Sequence, residues 1–281
     1  MKKTITLSLF CLLTSIITAQ ELQPFQGSNY LYGFKDTTGK EVIKPKYDFA
    51  FSFIEGFAIV ELEGKCTFID KTGKEIIQPK YDHIEPFKGG NAIVELNERF
   101  GVIDKTGKDI IELKYDDIFF SEEIFAVQLN KKWGFIDKTG IELTQLKYDK
   151  AFPSKAGFAV VELNGKRGFI NLNGKEITEI KYDNAYEFHD GIGAVKIKDK
   201  FGFIDISGKE ITQLKYDNGT EFREGICSVK MNGKWGFIDK TGKEIIQFKY
   251  DDAAVFLKGR AKVIFEGRTF YIDKTGSEIK E

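Results

Sequence analysis

The chain has 281 residues, among them 26 Phe and 11 Tyr, with 42 basic side chains against 43 acidic ones. That aromatic content can fill a core, which excludes a disordered chain. The near balance of charge excludes a protein that works by laying a basic stripe on nucleic acid.

Residues 1–19 read as a secretory signal peptide. Lys2 and Lys3 give a positive start, Ile5 to Ile17 form an apolar run broken only by Thr, Ser and Cys, and Ala19 offers a small residue before a cut at Gln20. The run is short of the roughly 20 apolar residues of a membrane span. Cys11 raises lipoprotein cleavage, but Ser8-Leu9-Phe10 before it is not the small-residue run such cleavage prefers. No later segment is apolar enough to cross a bilayer, so the mature chain is expected to lack a membrane span and to end in the periplasm, on the cell surface or outside the cell. Loss of Lys2 and Lys3 leaves 40 basic against 43 acidic residues, a net charge of −3. Residues 20–29 read as a lead-in. Of the cysteines left, Cys66 stands where other copies of the repeat described below have Trp or Phe, and Cys227 where they have Ala or Gly. Two unrelated substitutions predict no disulfide.

Residues 30–281 form one repeat domain of about seven units. Tyr-Asp recurs at Tyr47, Tyr81, Tyr115, Tyr148, Tyr182, Tyr216 and Tyr250, at intervals of 34 residues with a single 33. Gly39, Gly73, Gly107, Gly140, Gly174, Gly208, Gly242 and Gly276 keep the same period. A fixed period of this length marks a repeat architecture. Each unit is expected to hold three short strands. In the copy ending at Asp183 the first is Ala159 to Leu163, followed by Asn164-Gly165, a strong hairpin signal because both residues tolerate positive φ. The second begins at Gly168. A tight turn such as Asp239-Lys240-Thr241-Gly242 then leads to the third, through Glu244 to Ile246 toward Tyr250.

Trp133-Gly134 and Trp235-Gly236 carry one further signature; Tyr32-Gly33, Phe100-Gly101, Arg167-Gly168 and Phe201-Gly202 keep only its glycine, and Cys66-Thr67 and Thr269-Phe270 lose both residues. The pattern resembles the WG repeat family across almost all of the mature chain. The resemblance implies a β-rich repeat of exported or surface-associated bacterial proteins, with no common activity.

In the first strand Ala58, Val60 and Leu62 alternate with residues such as Glu61, and Ala92, Val94 and Leu96 repeat them, so one face is expected in a core and the other mostly in water. In the short copy, aligning Phe125, Val127 and Leu129 with that set preserves the alternation and puts the deletion in the preceding loop. A meander this small needs stacked neighbours. The fold class is therefore all-β, made of tandem three-stranded antiparallel meanders of about 34 residues, arranged like a propeller or, alternatively, as an open twisted array.

Nothing in the sequence assembles a catalytic set or a cofactor site. His83 and His189 fall at different offsets from their Tyr-Asp and read as surface variation. Asp70, Thr72 and Glu75 could offer oxygen to calcium, but Lys71 and Lys74 oppose a cation and Asn171 replaces the Asp in one copy, so turn chemistry explains them. A tyrosine present in every unit is expected to pack between units and bond through its hydroxyl, with the flanking Lys and Asp as solvated strand-end charges. The segment after Tyr-Asp varies from copy to copy, and repeat proteins recognise partners through such loops. Phe53, Phe87, Phe188, Phe222 and Phe256 share one offset there and read as plugs between units, whereas Phe51, Phe119, Phe120, Phe152 and Tyr186 are the candidate partner-binding residues. These features point to a non-catalytic exported scaffold that binds a protein at the cell envelope or outside the cell. The alternative is a carbohydrate-binding module using exposed aromatics.

Overall fold

The computed structural model describes residues 21–280, so the segment read as a signal peptide, with Cys11, lies outside the described residues. Every regular element is a β-strand, and the strands form antiparallel sheets in chain order. The chain divides into two compact units: one is the chain up to Leu96 with Asp104–Lys108, the other Asn97–Ile103 with everything from Asp109 onward.

The copy from Lys150 shows the local plan. A two-residue edge strand, Lys150–Ala151, pairs with Phe158–Leu163, which pairs with Lys166–Asn171. The third expected strand returns as two bridges, Ile170 to Glu176 and Arg167 to Tyr182. Each repeat is thus a four-element meander, the strand pattern of a propeller blade, because the segment after Tyr-Asp adds an edge strand that the sequence reading leaves as loop. The lead-in is structured too: Gln23–Gln26 pairs with Tyr32–Lys35, and Leu22 is buried. In the short copy, Asp117–Ser121 pairs with Ile124–Leu129 through a tight turn, so the missing residue does come out of the loop.

The third strand is continuous only at Glu41–Tyr47, Asp109–Tyr115 and Glu244–Tyr250. Its third residue tracks the difference in every complete copy but one. Ile43, Ile111 and Ile246 stand there in the continuous copies and are buried. Thr144, Thr178 and Thr212 replace them in three interrupted copies, and their hydroxyls accept from the backbone N–H of Phe135, Phe169 and Phe203 at 2.9, 3.0 and 3.1 Å. A side-chain oxygen takes the bond that would otherwise hold the ladder. In the fourth interrupted copy the hydroxyl comes from the other side: Thr67, at the position of the signature glycine, donates to the Ile77 carbonyl at 2.6 Å. The copies that keep the glycine need it because strand three crosses close above it; a Cβ on Gly236 would lie 2.8 Å from the Ile246 oxygen.

The cores sit between successive sheets. Ile124, Ala126 and Phe135 of one repeat meet Ala159, Val161 and Ile170 of the next, with Tyr148 between them. Val160, on the opposite face of its strand, enters the following core with Phe169, Tyr182 and Phe188. The expectation of one wet face is therefore corrected: Ile59, Ile93 and Val160 are buried as well, because a neighbour covers each face. Polar alternation survives only at the far end of the strand. The plug reading holds, with Phe87, Phe188, Phe222 and Phe256 buried and ring centroids 4.2 to 5.3 Å from Phe68, Phe169, Phe203 and Phe237 of the preceding repeat. Ser121 and Ser154 occupy the same offset in two consecutive copies and bond each other, Ser154 Oγ donating to the Ser121 carbonyl at 2.9 Å and Ser121 Oγ to that of Ser154 at 3.1 Å.

The Asp of Tyr-Asp is a junction, which corrects its reading as a solvated charge. Asp149 accepts Lys132 Nζ from the preceding repeat on Oδ1 at 2.5 Å and the backbone N–H of Asn164, in the next hairpin turn, on Oδ2 at 2.6 Å. Asp217 and Asp251 repeat the pattern with Lys200 and Gly233 and with Lys234 and Glu266, and Asp183 does so with Lys166 and Lys198. The Lys before each Tyr lies over its ring, 4.8 to 5.4 Å from the centroid. The Tyr rings are buried as expected. Tyr148 donates its hydroxyl to Glu176 at 2.9 Å, but the buried hydroxyls of Tyr47 and Tyr81 have no hydrogen-bond partner among the described residues, so bonding through the hydroxyl is not general. Cys66 and Cys227 are free thiols, and burial pushes the Cys227 thiol up to about 12, where it is inert.

Gly208 (φ 84°) and Gly233 (φ 81°) are both left-handed, yet a Cβ on Gly208 would lie 1.8 Å from the Ile177 carbonyl of the preceding repeat, while one on Gly233 meets nothing. Each change to Ala costs about 1–2 kcal/mol for the backbone, and Gly208→Ala should cost about 1–3 kcal/mol more for the clash, read by denaturant unfolding. Hydrogen bonds from Lys132, Lys166, Lys200 and Lys234, the largest effect in each case, hold Asp149, Asp183, Asp217 and Asp251 below the usual carboxylate range. A depressed folded value stabilises the protein above about pH 4, and that contribution is lost as pH falls through the lowered values. The Tm should fall on acidification below pH ~4. The triple variant Asp149→Asn, Asp183→Asn, Asp217→Asn should have a lower Tm at neutral pH and a shallower acid slope.

Candidate functional site

In the unit that runs from Asp109 onward, the segments after Tyr-Asp of successive repeats close around one cavity of about 810 Å³. The edge strands place them. Asn184–Ala185 pairs with Lys196 and Val195 of the strand Ile192–Ile197 and hands the chain to Tyr186; Asn218–Gly219 pairs with Lys230 and Val229 and does the same for Thr220. Phe152 follows the edge strand Lys150–Ala151.

A chain of polar contacts fixes one wall. Glu162 accepts Lys150 Nζ at 2.8 Å and Arg167 Nε at 3.1 Å. The bond from Lys150, followed by that from Arg167, holds the Glu162 carboxyl below its ordinary range despite partial burial. Arg167 Nη1 donates to Asn184 Oδ1 at 2.5 Å, and Asn184 Nδ2 donates to the Tyr186 hydroxyl at 3.0 Å. The Arg167 guanidinium also lies 4.7 Å from the Phe152 ring centroid, within cation–π range. The Tyr186 ring stacks on Phe201 at 5.7 Å and an interplanar angle of 22°, yet Tyr186 remains 40% exposed. On the other side, His189 Nε2 is 3.1 Å from Glu221 Oε2, and Glu187 takes Lys155 Nζ at 2.6 Å.

Of the five candidate residues, the structure brings Phe152 and Tyr186 together in this cavity. Phe119 and Phe120 are half-buried and held by their own repeat, 5.4 Å from Trp133 and 4.7 Å from Phe125 between ring centroids. Phe51 belongs to the other compact unit, 54% exposed, at the edge of a hollow of about 200 Å³ beside Phe57 and Pro86. Neither Trp is a free platform: Trp133 is half-buried and Trp235 buried. The sequence reading missed Arg167, Asn184 and His189 as members of a site. Arg167 did carry a signal, since it breaks a position otherwise held largely by Trp, Phe and Tyr. Asn184 carried none.

The turns read as possible oxygen donors are closed by their own backbone. Asp70 Oδ1 accepts the N–H groups of Thr72 and Lys74 and the Thr72 hydroxyl at 2.8, 3.0 and 2.6 Å, and Asp239 repeats this with Thr241 and Lys243. Among the described residues no cluster of three or more His, Cys, Asp or Glu side chains is placed to hold a metal, and no helix is long and apolar enough to cross a membrane.

The glycine under strand three, the junction Asp and the closed Asp-Lys-Thr-Gly turn make up a unit whose family model, the WG containing repeat, matches residues 32–66, 67–99, 100–133, 133–166, 168–201, 201–235 and 235–268. The chain belongs to the WG repeat family. The seven WG repeats account for the period of Tyr-Asp, and the cavity lies among the later ones. Among curated proteins there is no match to the chain. Similar solved structures include Kluyveromyces lactis Hsv2p, at 11% identity and TM-score 0.35 over 77% of this chain and 89% of that one. A eukaryotic initiation factor aligns at 9% identity and TM-score 0.33 over 94% and 96% of the two chains. The extracellular domain of BT4673, a putative one component system from B. thetaiotaomicron, aligns at 11% identity and TM-score 0.30 over 92% of this chain and 47% of that one. Likeness of this degree leaves function to be argued from the site.

Proposed function

We propose that this WG repeat protein is a non-catalytic scaffold, exported to the cell envelope or beyond, that holds a protein partner through side chains of the segments after Tyr-Asp. The observation that carries the reading is a run of uncovered apolar side chains in the first compact unit. Phe49 is 42% exposed, Phe51 54% and Ile54 47%. Phe49 lies 4.9 Å from Phe51 and 5.3 Å from Tyr32 between ring centroids, so the rings form one patch. Two residues on, Phe53 packs on Phe34 at 5.0 Å, which is what this segment does with a ring the fold needs. Contiguous exposed rings mark interaction surfaces, and burying them in a complex releases about 25 cal/mol per Å².

The non-catalytic part of the reading is supported by repetition: the Tyr and Asp of Tyr-Asp recur in seven units, whereas a catalytic residue is needed once. The export part is supported by residues 1–19.

Mature protein used as bait on the native envelope fraction should enrich one protein, and the double variant Phe49→Ser, Phe51→Ser should lose about tenfold or more of that capture with an unchanged Tm. Equal capture by the variant would remove the patch from the function. Mass spectrometry of the protein recovered after export should find Gln20 as the first residue.

A further inference from the structure

We propose that the cavity bounded by Phe152, Tyr186 and Asn218 is a binding site for a neutral oligosaccharide, with one sugar ring laid on the open face of Tyr186. The site is separate from the Phe49–Phe51 patch and does not depend on it.

Size comes first. About 810 Å³ is room for a short oligomer, within the range of ligand sites and far above the volume of a trapped water. Chemistry narrows the occupant. A pyranose ring has an apolar C–H face and a rim of hydroxyls, each both donor and acceptor. It is matched by a flat aromatic face surrounded by fixed groups of both kinds. Tyr186 supplies the face, backed by Phe201 at 5.7 Å and therefore unable to swing inward. Its hydroxyl, accepting from Asn184 at 3.0 Å, keeps its own proton to donate. Asn218 adds a side-chain amide to the lining.

Charge then selects a neutral ligand. Arg167 is engaged by Glu162, Glu221 by Arg223 and Glu187 by Lys155, so neither an anion nor a cation finds an unopposed partner. Preorganisation favours binding as well. The run Lys150, Glu162, Arg167, Asn184 holds Tyr186 before any ligand arrives, which lowers the ordering cost of association.

The test is calorimetric titration of the full mature chain with neutral tetrasaccharides of glucose, N-acetylglucosamine and mannose, beside the charged tetramer of galacturonic acid. At least one neutral tetramer should bind with a Kd at or below about 1 mM. Tyr186→Ala should weaken it by roughly tenfold or more, Asn184→Ala and Tyr186→Phe should each weaken it by less, and Phe51→Ser should change nothing. Tyr186 is exposed enough for its Ala variant to fold, which an unchanged Tm verifies. The proposal is overturned if no neutral tetramer binds, if only galacturonate binds, or if binding is indifferent to Tyr186→Ala. It is equally overturned if the only ligand sensitive to Tyr186→Ala is an unfolded peptide pool, which would make the cavity a protein site.

Discussion

The hydrophobic clusters traced among the described residues lie between two consecutive sheets, each drawing side chains from both. Tyr148, Ala159 and Val161 meet side chains of the repeat before them, while Val160, one residue along the same strand, meets the repeat after. A meander of about 34 residues buries too little surface to offset the entropy of ordering it. Stability therefore comes from the contact between neighbours, and the features that recur in the sequence are those that make this contact. The buried tyrosines fill it, the plug phenylalanines seal it, and the aspartates lock the register across it with one oxygen on each side.

The same constraint explains the exceptions. A change at a shared surface must be met by its neighbour, and the two serines show this. Ser121 and Ser154 both stand where a plug Phe is expected, in consecutive repeats, and each satisfies the other's polar groups while both stay buried. One serine alone opposite a phenylalanine would leave a buried hydroxyl without a partner. Threonine follows a similar rule. Thr144, Thr178 and Thr212 on strand three, or Thr67 on strand two, place one hydroxyl between the same two strands and interrupt the same ladder. The turn carboxylates add a tie along the tips: Glu224 accepts the Gly259 N–H at 3.1 Å and pairs with Lys274 at 3.1 Å, in the repeat that follows.

The cavity arises where this regularity is broken. Arg167 stands where an aromatic residue would pack, and instead of filling the space it reaches from Glu162 to Asn184 and lies over Phe152. The neighbouring edge segments carry Asn184 and Asn218 where other copies carry Phe49, His83, Asp117, Lys150 or Asp252. A cleft with a standing aromatic face is the outcome of these local departures, while the flanking repeats keep the common framework and hold it rigid. The binding chemistry is therefore written in the variable positions and the precision of the site in the invariant ones.

The period, the strand class, the hairpin turns and the plug offset were determined by the sequence alone, because each depends on residues close in the chain: alternation for a strand, Asn-Gly for a left-handed turn, glycine at a fixed spacing. Phe152 and Tyr186 were legible as candidates for the same reason, as aromatic residues in a segment with no framework duty. Tertiary structure alone decided that both faces of strand one are buried, that the aspartates are junctions, and that Phe152 and Tyr186 share a cavity while Phe51 does not. Those facts turn on which residues from different repeats come within a few ångströms of one another, and a period of 34 residues sets the interval between copies without saying how one sheet lies on the next.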